Sequence, residues 1–111
     1  MDKALKQKWI AALRSGKYAQ ARECLKQESK DGSAGFCCLG VLLDISELGN
    51  WDINCYLIPD EEGGTTMLDG DLASYRSSLG ITSTQHGTLI EMNDDRGNTF
   101  SEIADFIEEH L

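Results

Sequence analysis

One long apolar segment limits how this chain can fold. Between Phe36 and Leu48 nearly every position is apolar, so a helix there would be apolar on almost all sides. A helix of that kind is typically enclosed by other elements rather than lying on the surface. At 111 residues the chain is long enough for one core and too short for two. We therefore predict a single compact domain, residues 1–111, with this central helix in its core and Gly40 allowing close approach of a neighbour.

Two further helices are predicted before the central one. The first has apolar residues at helical spacing on one face and lysines on the other, and its apolar positions are Leu5, Trp9, Ala12 and Leu13. Ser15 and Gly16 end it. A second, shorter helix is predicted from about Ala19 to Gln27, with Ala21, Cys24 and Leu25 facing inward. Residues 30–35 are rich in turn-forming residues and predict a loop.

After the central helix the pattern changes to that of strands. Trp51–Ile58 is rich in aromatic and β-branched residues and predicts a strand that Pro59 ends. After an acidic turn, Thr65–Leu68 predicts its partner in a small hairpin. The last third predicts helices at 71–79, 83–93 and 99–110, the last with a capping box of Thr99 and Glu102. The expected fold class is α+β, a helix-rich domain of about five helices with one small β-hairpin.

Charge is distributed very unevenly along the chain. Residues 1–30 carry eight lysines and arginines against three carboxylates, a net charge of +5, whereas residues 31–111 carry two arginines against sixteen carboxylates, a net charge of −14. Such a field repels nucleic acid and attracts basic surfaces, although it also serves solubility alone. The lysine-rich face predicts pairing with the acidic face of a partner or of a second copy.

The carboxylates predicted to bind a partner fall into two groups. One group surrounds the hairpin, and the other lies in the C-terminal third. Together they comprise Asp60, Glu61, Glu62, Asp69, Asp71, Asp94, Asp95, Glu102, Asp105, Glu108 and Glu109. No direct binding of nucleic acid is expected, because the acidic remainder of the chain offsets the attraction of the basic N-terminal segment for phosphates.

The cysteines and histidines carry little sign of a metal centre. No pair has the C-x₂-C or H-x₃-H spacing of common zinc sites, which leaves an unconventional set of Cys24, Cys37, Cys55 and His86 as a minor alternative. A cytosolic protein keeps such cysteines reduced, and Cys37 and Cys38 lie in the most apolar segment, where they suit core packing. We predict neither a metal nor another cofactor.

No motif for catalysis or membrane insertion is present. The chain has no glycine-rich phosphate loop, and no local pattern joins a nucleophile to a base. The longest apolar run falls far short of a membrane span, and the first fifteen residues lack the apolar block of a secretory signal. We expect a cytoplasmic protein that is not an enzyme and does not bind membranes.

Three blocks of sequence are similar to a known group of proteins. They are Trp9–Gln20 with the pattern W-x-x-A-L-x-S-G-x-Y, Phe36–Leu42 with C-C-L-G-V-L, and Met92–Asp94 followed by Phe100–Glu108. This combination resembles a family of small uncharacterised proteins encoded by bacteriophages and prophages. The resemblance implies a phage origin and the cytoplasm of a bacterial host, and it carries over no functional residue.

By analogy, small acidic phage proteins without catalytic motifs often act by stoichiometric binding. The leading hypothesis is a non-enzymatic inhibitor or modulator, of anti-CRISPR or anti-restriction type, whose acidic face binds a basic, nucleic-acid-binding host defence protein. The alternative is a protein that sequesters a small ligand such as a nucleotide signal, using the N-terminal cations with Tyr18, Trp51 or Tyr56 for stacking. A zinc or redox module is the third hypothesis, and homo-oligomerisation by charge remains open.

Overall fold

A computed structural model describes residues 1–70 and 72–111, so the predicted site residue Asp71 lies outside the described residues. The described residues form four α-helices and two three-stranded sheets. The helices are α1 (Lys3–Arg14), α2 (Cys38–Ser46), α3 (Ser83–Asp94) and α4 (Phe100–His110). The strands are β1 (Ala19–Gln20), β2 (Lys26–Glu28), β3 (Ala34–Phe36), β4 (Asn50–Asp52), β5 (Cys55–Pro59) and β6 (Thr65–Leu68).

The two sheets lie on either side of α2 in the sequence. The first has the order β1-β3-β2, with β1 parallel and β2 antiparallel to β3. The second, β4-β5-β6, is an antiparallel meander in which Trp51 pairs with Tyr56 and Tyr56 pairs with Leu68. Both are small sheets of short strands, which need packing against helices to be stable.

The predicted central helix is confirmed as α2. Six of its nine residues are buried, from Cys38 to Leu43. A Cβ on Gly40 would collide with the carbonyl oxygen of Leu25, so the predicted close approach at this glycine is also confirmed. Trp9 of α1 is fully buried beside α2 and donates from Nε1 to the carbonyl of Cys38 at 2.9 Å. The core therefore forms around α2, as the apolar pattern predicts.

The predicted helix at Ala19–Gln27 is wrong, because this segment supplies β1 and the start of β2. Ala21 and Leu25 do face the core, but their backbones bond across to the β3 segment. Ala21 N–H donates to the Phe36 carbonyl at 2.8 Å, and Cys37 N–H donates to the Leu25 carbonyl at 3.2 Å. Glu23, with a φ of 62°, breaks the helical path. Long-range pairing therefore overrides a local helical pattern.

Two other predictions are corrected. The expected strand Trp51–Ile58 is two strands, β4 and β5, joined by a tight turn at Ile53 and Asn54, so the small hairpin is a three-stranded sheet. The described part of the helix expected at 71–79 is a series of hydrogen-bonded turns instead. Only Leu72 and Leu79 are buried there, which gives the segment two anchors and no continuous apolar stripe.

The capping box predicted for α4 is confirmed, and α3 begins with a capping box that was not predicted. Thr82 caps α3 and Thr99 caps α4, each in a reciprocal capping box with the residue three positions on, Gln85 and Glu102. None of the helices in the described part of the chain is long and apolar enough to cross a membrane.

Candidate functional site

The side of the β4-β5-β6 sheet that faces away from the core is the first candidate surface. Tyr56 and Ile58 point inward, so their neighbours on β5 point outward. Leu57 lies opposite Met67 there, and Met67 is 61 % exposed. We call this surface the outer face. Its centre is the Leu57–Met67 pair, followed by the next outward pair, Pro59 and Thr65.

Carboxylates lie at one end of the outer face, beside the β4–β5 turn. Asp52 pairs with Cys55 across the two strands, and Asp69 directly follows β6. Partial burial raises the pKa of the Cys55 thiol, and the charges of Asp69 and Asp52 add to the rise. The exposed turn residue Ile53 lies at the same end.

More carboxylates lie at the opposite end, in the β5–β6 turn. Asp60 holds this turn in shape, because its Oδ1 accepts from the N–H groups of Glu62 at 2.9 Å and Gly64 at 2.7 Å. Glu61 and Glu62 are exposed on the turn so formed. The outer face is therefore an apolar centre with carboxylates at both ends.

The carboxylates predicted in the C-terminal third have mixed roles. Asp105 and Glu108 each bond Arg14 at 2.7 Å, which joins α4 to α1 and raises the Arg14 pKa. Glu102 closes the α4 capping box, and hydrogen bonds from Thr99 lower its pKa. Asp95 and Glu109 are exposed. Part of the positive charge of α1 is thus paired within the chain.

A cleft is the second candidate site, and its volume is about 330 Å³. It lies between the β1–β2 connection, the N-terminus of α2 and the C-terminal half of α3. Its described lining residues are Glu23, Cys24, Cys37, Cys38, Leu39, Gly70, Ile90, Asn93 and Asp94. The size falls at the lower end of the range for pockets that hold small molecules.

Asn93 organises one wall of this cleft and is fully buried. Its Oδ1 accepts from Gln20 Nε2 at 2.9 Å and from Cys38 N–H at 3.2 Å, while its Nδ2 donates to the Ala21 carbonyl and to Asp94 Oδ1, both at 2.8 Å. All four hydrogen bonds of the amide are therefore made. Sequence reasoning missed this residue, and the signal that would find it is an asparagine on the apolar side of a helix.

Asp94 extends the wall into the cleft. The same Oδ1 that accepts from Asn93 also accepts from the N–H of Glu23 at 2.9 Å. This bond holds Glu23 at its positive φ of 62°. Asp94 is therefore fixed by two bonds through one oxygen, and its carboxylate forms part of the cleft surface.

Three thiols share the cleft, and all of them are held in the protonated form. Burial is the main cause in each case: it raises the pKa of Cys37 to about 11, that of Cys38 well above its usual value, and that of Cys24 in the same direction. Asp94 adds to the rise for all three. Protonated thiols are poor nucleophiles and poor metal ligands.

The four residues considered for zinc are not brought together in one cleft. Cys24 and Cys37 line the cleft, whereas Cys55 lies on β5 beside Asp52 and Asp69, and His86 is buried on α3. Within residues 1–70 and 72–111, no group of three histidines, cysteines or carboxylates has the arrangement to hold a metal ion.

The aromatic residues considered for ligand stacking pack on one another. Tyr18, Phe36, Trp51 and Tyr56 form a chain of edge-to-face contacts with ring centroids 4.9–5.7 Å apart. Asp44 accepts from Tyr18 Oη at 2.5 Å and from Trp51 Nε1 at 3.0 Å. Burial and this bond raise the pKa of Tyr18 to about 12. These rings join α2 to both sheets.

The described residues form a small α+β domain. It carries the outer face, with carboxylates at both ends, and a cleft lined by three thiols. The family model described as a domain of unknown function, DUF8296, matches residues 1–63, and the chain belongs to this family. The match spans α1, the first sheet, α2, β4, β5 and most of the β5–β6 turn. No curated protein and no solved structure is significantly similar to the chain.

Proposed function

We propose that this protein is a non-enzymatic binding protein whose outer face docks on a basic, nucleic-acid-binding host protein and inhibits or modulates it. The observation that carries the proposal is the outward-facing Leu57–Met67 pair, in which Met67 is exposed and Leu57 is half-buried, with carboxylates at both ends. The resemblance to phage and prophage proteins suggests the class of partner, a defence protein of CRISPR or restriction type. Homo-oligomerisation by charge stays a prediction.

The physical basis is the usual anatomy of a protein interface. Apolar side chains at the centre lose water on binding, while charges at the rim steer the encounter and select the partner. Here Met67 supplies exposed apolar area, and Asp52, Asp69, Glu61 and Glu62 supply negative charge at the rim. The Asp60 bonds order the β5–β6 turn before binding, which lowers the entropy cost of docking.

The α4 carboxylates contribute less to this proposal than the sequence suggests. Asp105 and Glu108 already pair with Arg14, so their field is partly neutralised. Asp95, at the C-terminus of α3, and Glu109, on α4, are exposed and are not part of the outer face, so they serve as a control of equal charge. This difference allows a specific surface to be separated from a general effect of net charge.

The test is affinity capture from a bacterial lysate at low and high salt, followed by titration calorimetry with the purified captured protein. Three forms are compared: the wild type, Glu61→Lys with Glu62→Lys, and Asp95→Lys with Glu109→Lys. Both double variants change the net charge equally. We expect salt-sensitive capture of a nucleic-acid-binding protein that only the first double variant loses, with an affinity at least about tenfold weaker.

Equal behaviour of the two double variants would show that the β5–β6 turn is not part of the interface. Capture that persists at high salt in all three forms would likewise contradict an acidic docking surface. A preparation that captures no basic protein under any condition would remove the proposed function altogether.

A further inference from the structure

The cleft combines a negatively charged rim with an apolar floor. Glu23 and Asp94 are the charged residues among its described lining, and no lysine or arginine occurs among them. Arg22 donates to the Asn93 carbonyl at 3.4 Å but is not one of those lining residues. The half-buried Ile90 supplies apolar surface, and Leu39, which is 1 % exposed, lines the cleft beside it.

The N-terminus of α2 also borders the cleft, yet it does not favour an anion there. Its amides are already occupied, because Cys38 N–H donates to Asn93 Oδ1 at 3.2 Å and Gly40 N–H donates to Cys37 Sγ at 3.3 Å. Burial is the main cause of the raised pKa of the three thiols, and Asp94 adds to the rise in each case, so the charge of Asp94 opposes a further negative charge in the cleft.

We propose that this cleft binds a small organic cation, an aliphatic primary amine, with its ammonium group between Asp94 and Glu23 and its carbon chain against Ile90 and Leu39. An ammonium group has three donors and no acceptor, which suits carboxylate oxygens. The hydrogen bonds seen at Asp94 use Oδ1, which leaves Oδ2 for the ligand. This proposal does not depend on the proposed function.

The first test is an amide NMR titration of the whole protein with n-butylamine at neutral pH, where the amine is protonated. Matched titrations with n-butanol and with potassium chloride control for the carbon chain and for ionic strength. We expect saturable shifts at residues 23–24, 37–39 and 90–94 with butylamine alone. The proposal is overturned if butanol produces the same shifts, or if butylamine has no effect beyond that of the salt.

The variants Asp94→Asn and Glu23→Gln remove the charges with little change in shape. The asparagine keeps an oxygen that accepts from Glu23 N–H, so the wall is retained. Each variant should weaken butylamine binding about tenfold, because the ammonium loses a charge-assisted hydrogen bond. Asp95→Asn, on the neighbouring exposed carboxylate, should bind as the wild type does. Wild-type affinity in both cleft variants would contradict the assignment.

A second readout uses the cysteines as reporters. Cys24 is half-buried and lines the cleft, whereas Cys55 is half-buried at the outer face. Bound butylamine should slow the alkylation of Cys24 by iodoacetamide several-fold and leave the rate at Cys55 unchanged, as measured by mass spectrometry of the modified peptides. Equal slowing at both cysteines, or none at Cys24, would count against the site.

Discussion

Among the residues that the structure describes, three that are not glycine have positive φ, and each lies where the chain changes direction. Glu23 interrupts the β1–β2 connection, Glu47 caps the C-terminus of α2, and Ile53 begins the β4–β5 turn. Ile53 is the most costly of these, because β-branched residues rarely adopt a φ of 55°. It is also 65 % exposed, so little packing offsets the strain. It lies at one end of the outer face, where the proposed docking would bring it into contact with a partner.

Replacing this isoleucine by glycine should stabilise the protein. The two-residue turn has positive φ at its first position, where hairpins of this type prefer glycine. We expect Ile53→Gly to raise the free energy of unfolding by about 1 kcal/mol, measured by urea denaturation. Ile53→Val keeps the branched Cβ and should change it by less than about 0.5 kcal/mol. A loss of stability in the glycine variant would show that the isoleucine side chain makes a favourable contact.

The N-cap residue of α2 is a cysteine, which is unusual at this position. Cys37 Sγ accepts from Gly40 N–H, a position where serine, threonine, aspartate or asparagine is preferred. Burial raises the Cys37 pKa from 9.0 to about 11, so the folded chain keeps its proton where the unfolded chain loses it. The contribution of this thiol to the free energy of unfolding is therefore fully present below about pH 9, and it is lost as the pH rises toward 11.

The variant Cys37→Ser should reduce this alkaline sensitivity. Serine keeps a cap but does not titrate in this range. Between about pH 8 and about pH 11 we expect the wild type to lose about 1–2 kcal/mol more unfolding free energy than the variant. Denaturation curves at each pH measure the difference, and the titration of Tyr18 is common to both forms and cancels. Parallel pH profiles would contradict a buried, protonated Cys37.

Among the elements, α2 depends on close backbone contacts on both sides. A Cβ on Gly40 would meet the Leu25 carbonyl, and a Cβ on Gly49, just after the helix, would meet the Leu57 carbonyl. Each sheet therefore approaches the α2 region through a glycine. The local cost of glycine in a helix, about 1 kcal/mol relative to alanine, is offset by this packing.

Two glycine substitutions in helices should have opposite effects. Gly40→Ala adds a Cβ against rigid backbone and should lower the unfolding free energy by about 3 kcal/mol or more. Gly87→Ala, on α3, adds a Cβ where nothing lies within 4 Å and should raise it by about 0.5–1 kcal/mol. Thermal and urea unfolding of both variants measure the effects. A stabilised Gly40→Ala protein would show that α2 and the backbone at Leu25 can move apart.

Over the whole molecule, the imbalance of charge is only partly relieved by folding. The basic helix α1 packs against the acidic helix α4, and Arg14 bonds two carboxylates there. The net charge is still −9, and most carboxylates stay at the surface. Repulsion among them opposes the compact state.

Moderate salt should therefore stabilise the isolated protein. Raising sodium chloride from about 0.02 M to about 0.3 M should increase the unfolding free energy by about 1 kcal/mol, because screening weakens repulsion over distances of several ångströms. The double variant Glu61→Gln with Glu62→Gln carries two fewer negative charges, so its unfolding free energy should increase less over the same range of salt. A decrease of stability with salt would instead show that ion pairs such as those of Arg14 outweigh the repulsion.

Local sequence patterns were sufficient to predict the elements that are stabilised by residues close together in the chain. The amphipathic spacing of α1, the all-round apolar α2, and the capping box of Thr99 and Glu102 each follow from contacts within a few positions along the chain. The positions of the carboxylates along the chain can also be read directly from the sequence. Packing alone determines which of them Arg14 pairs and which remain free.

The remaining features depend on residues far apart in sequence. Ala19–Gln27 has a helical pattern yet forms strand edges, because Phe36 and Cys37 bond to it across the fold. The cleft arises the same way, since Asn93 joins α3 to Gln20, Ala21 and Cys38. Short-range propensity is worth tenths of a kcal/mol per residue, and a set of buried long-range hydrogen bonds outweighs it. The chain's own composition therefore determines its charge and its central helix, and tertiary pairing determines its sheets and its sites.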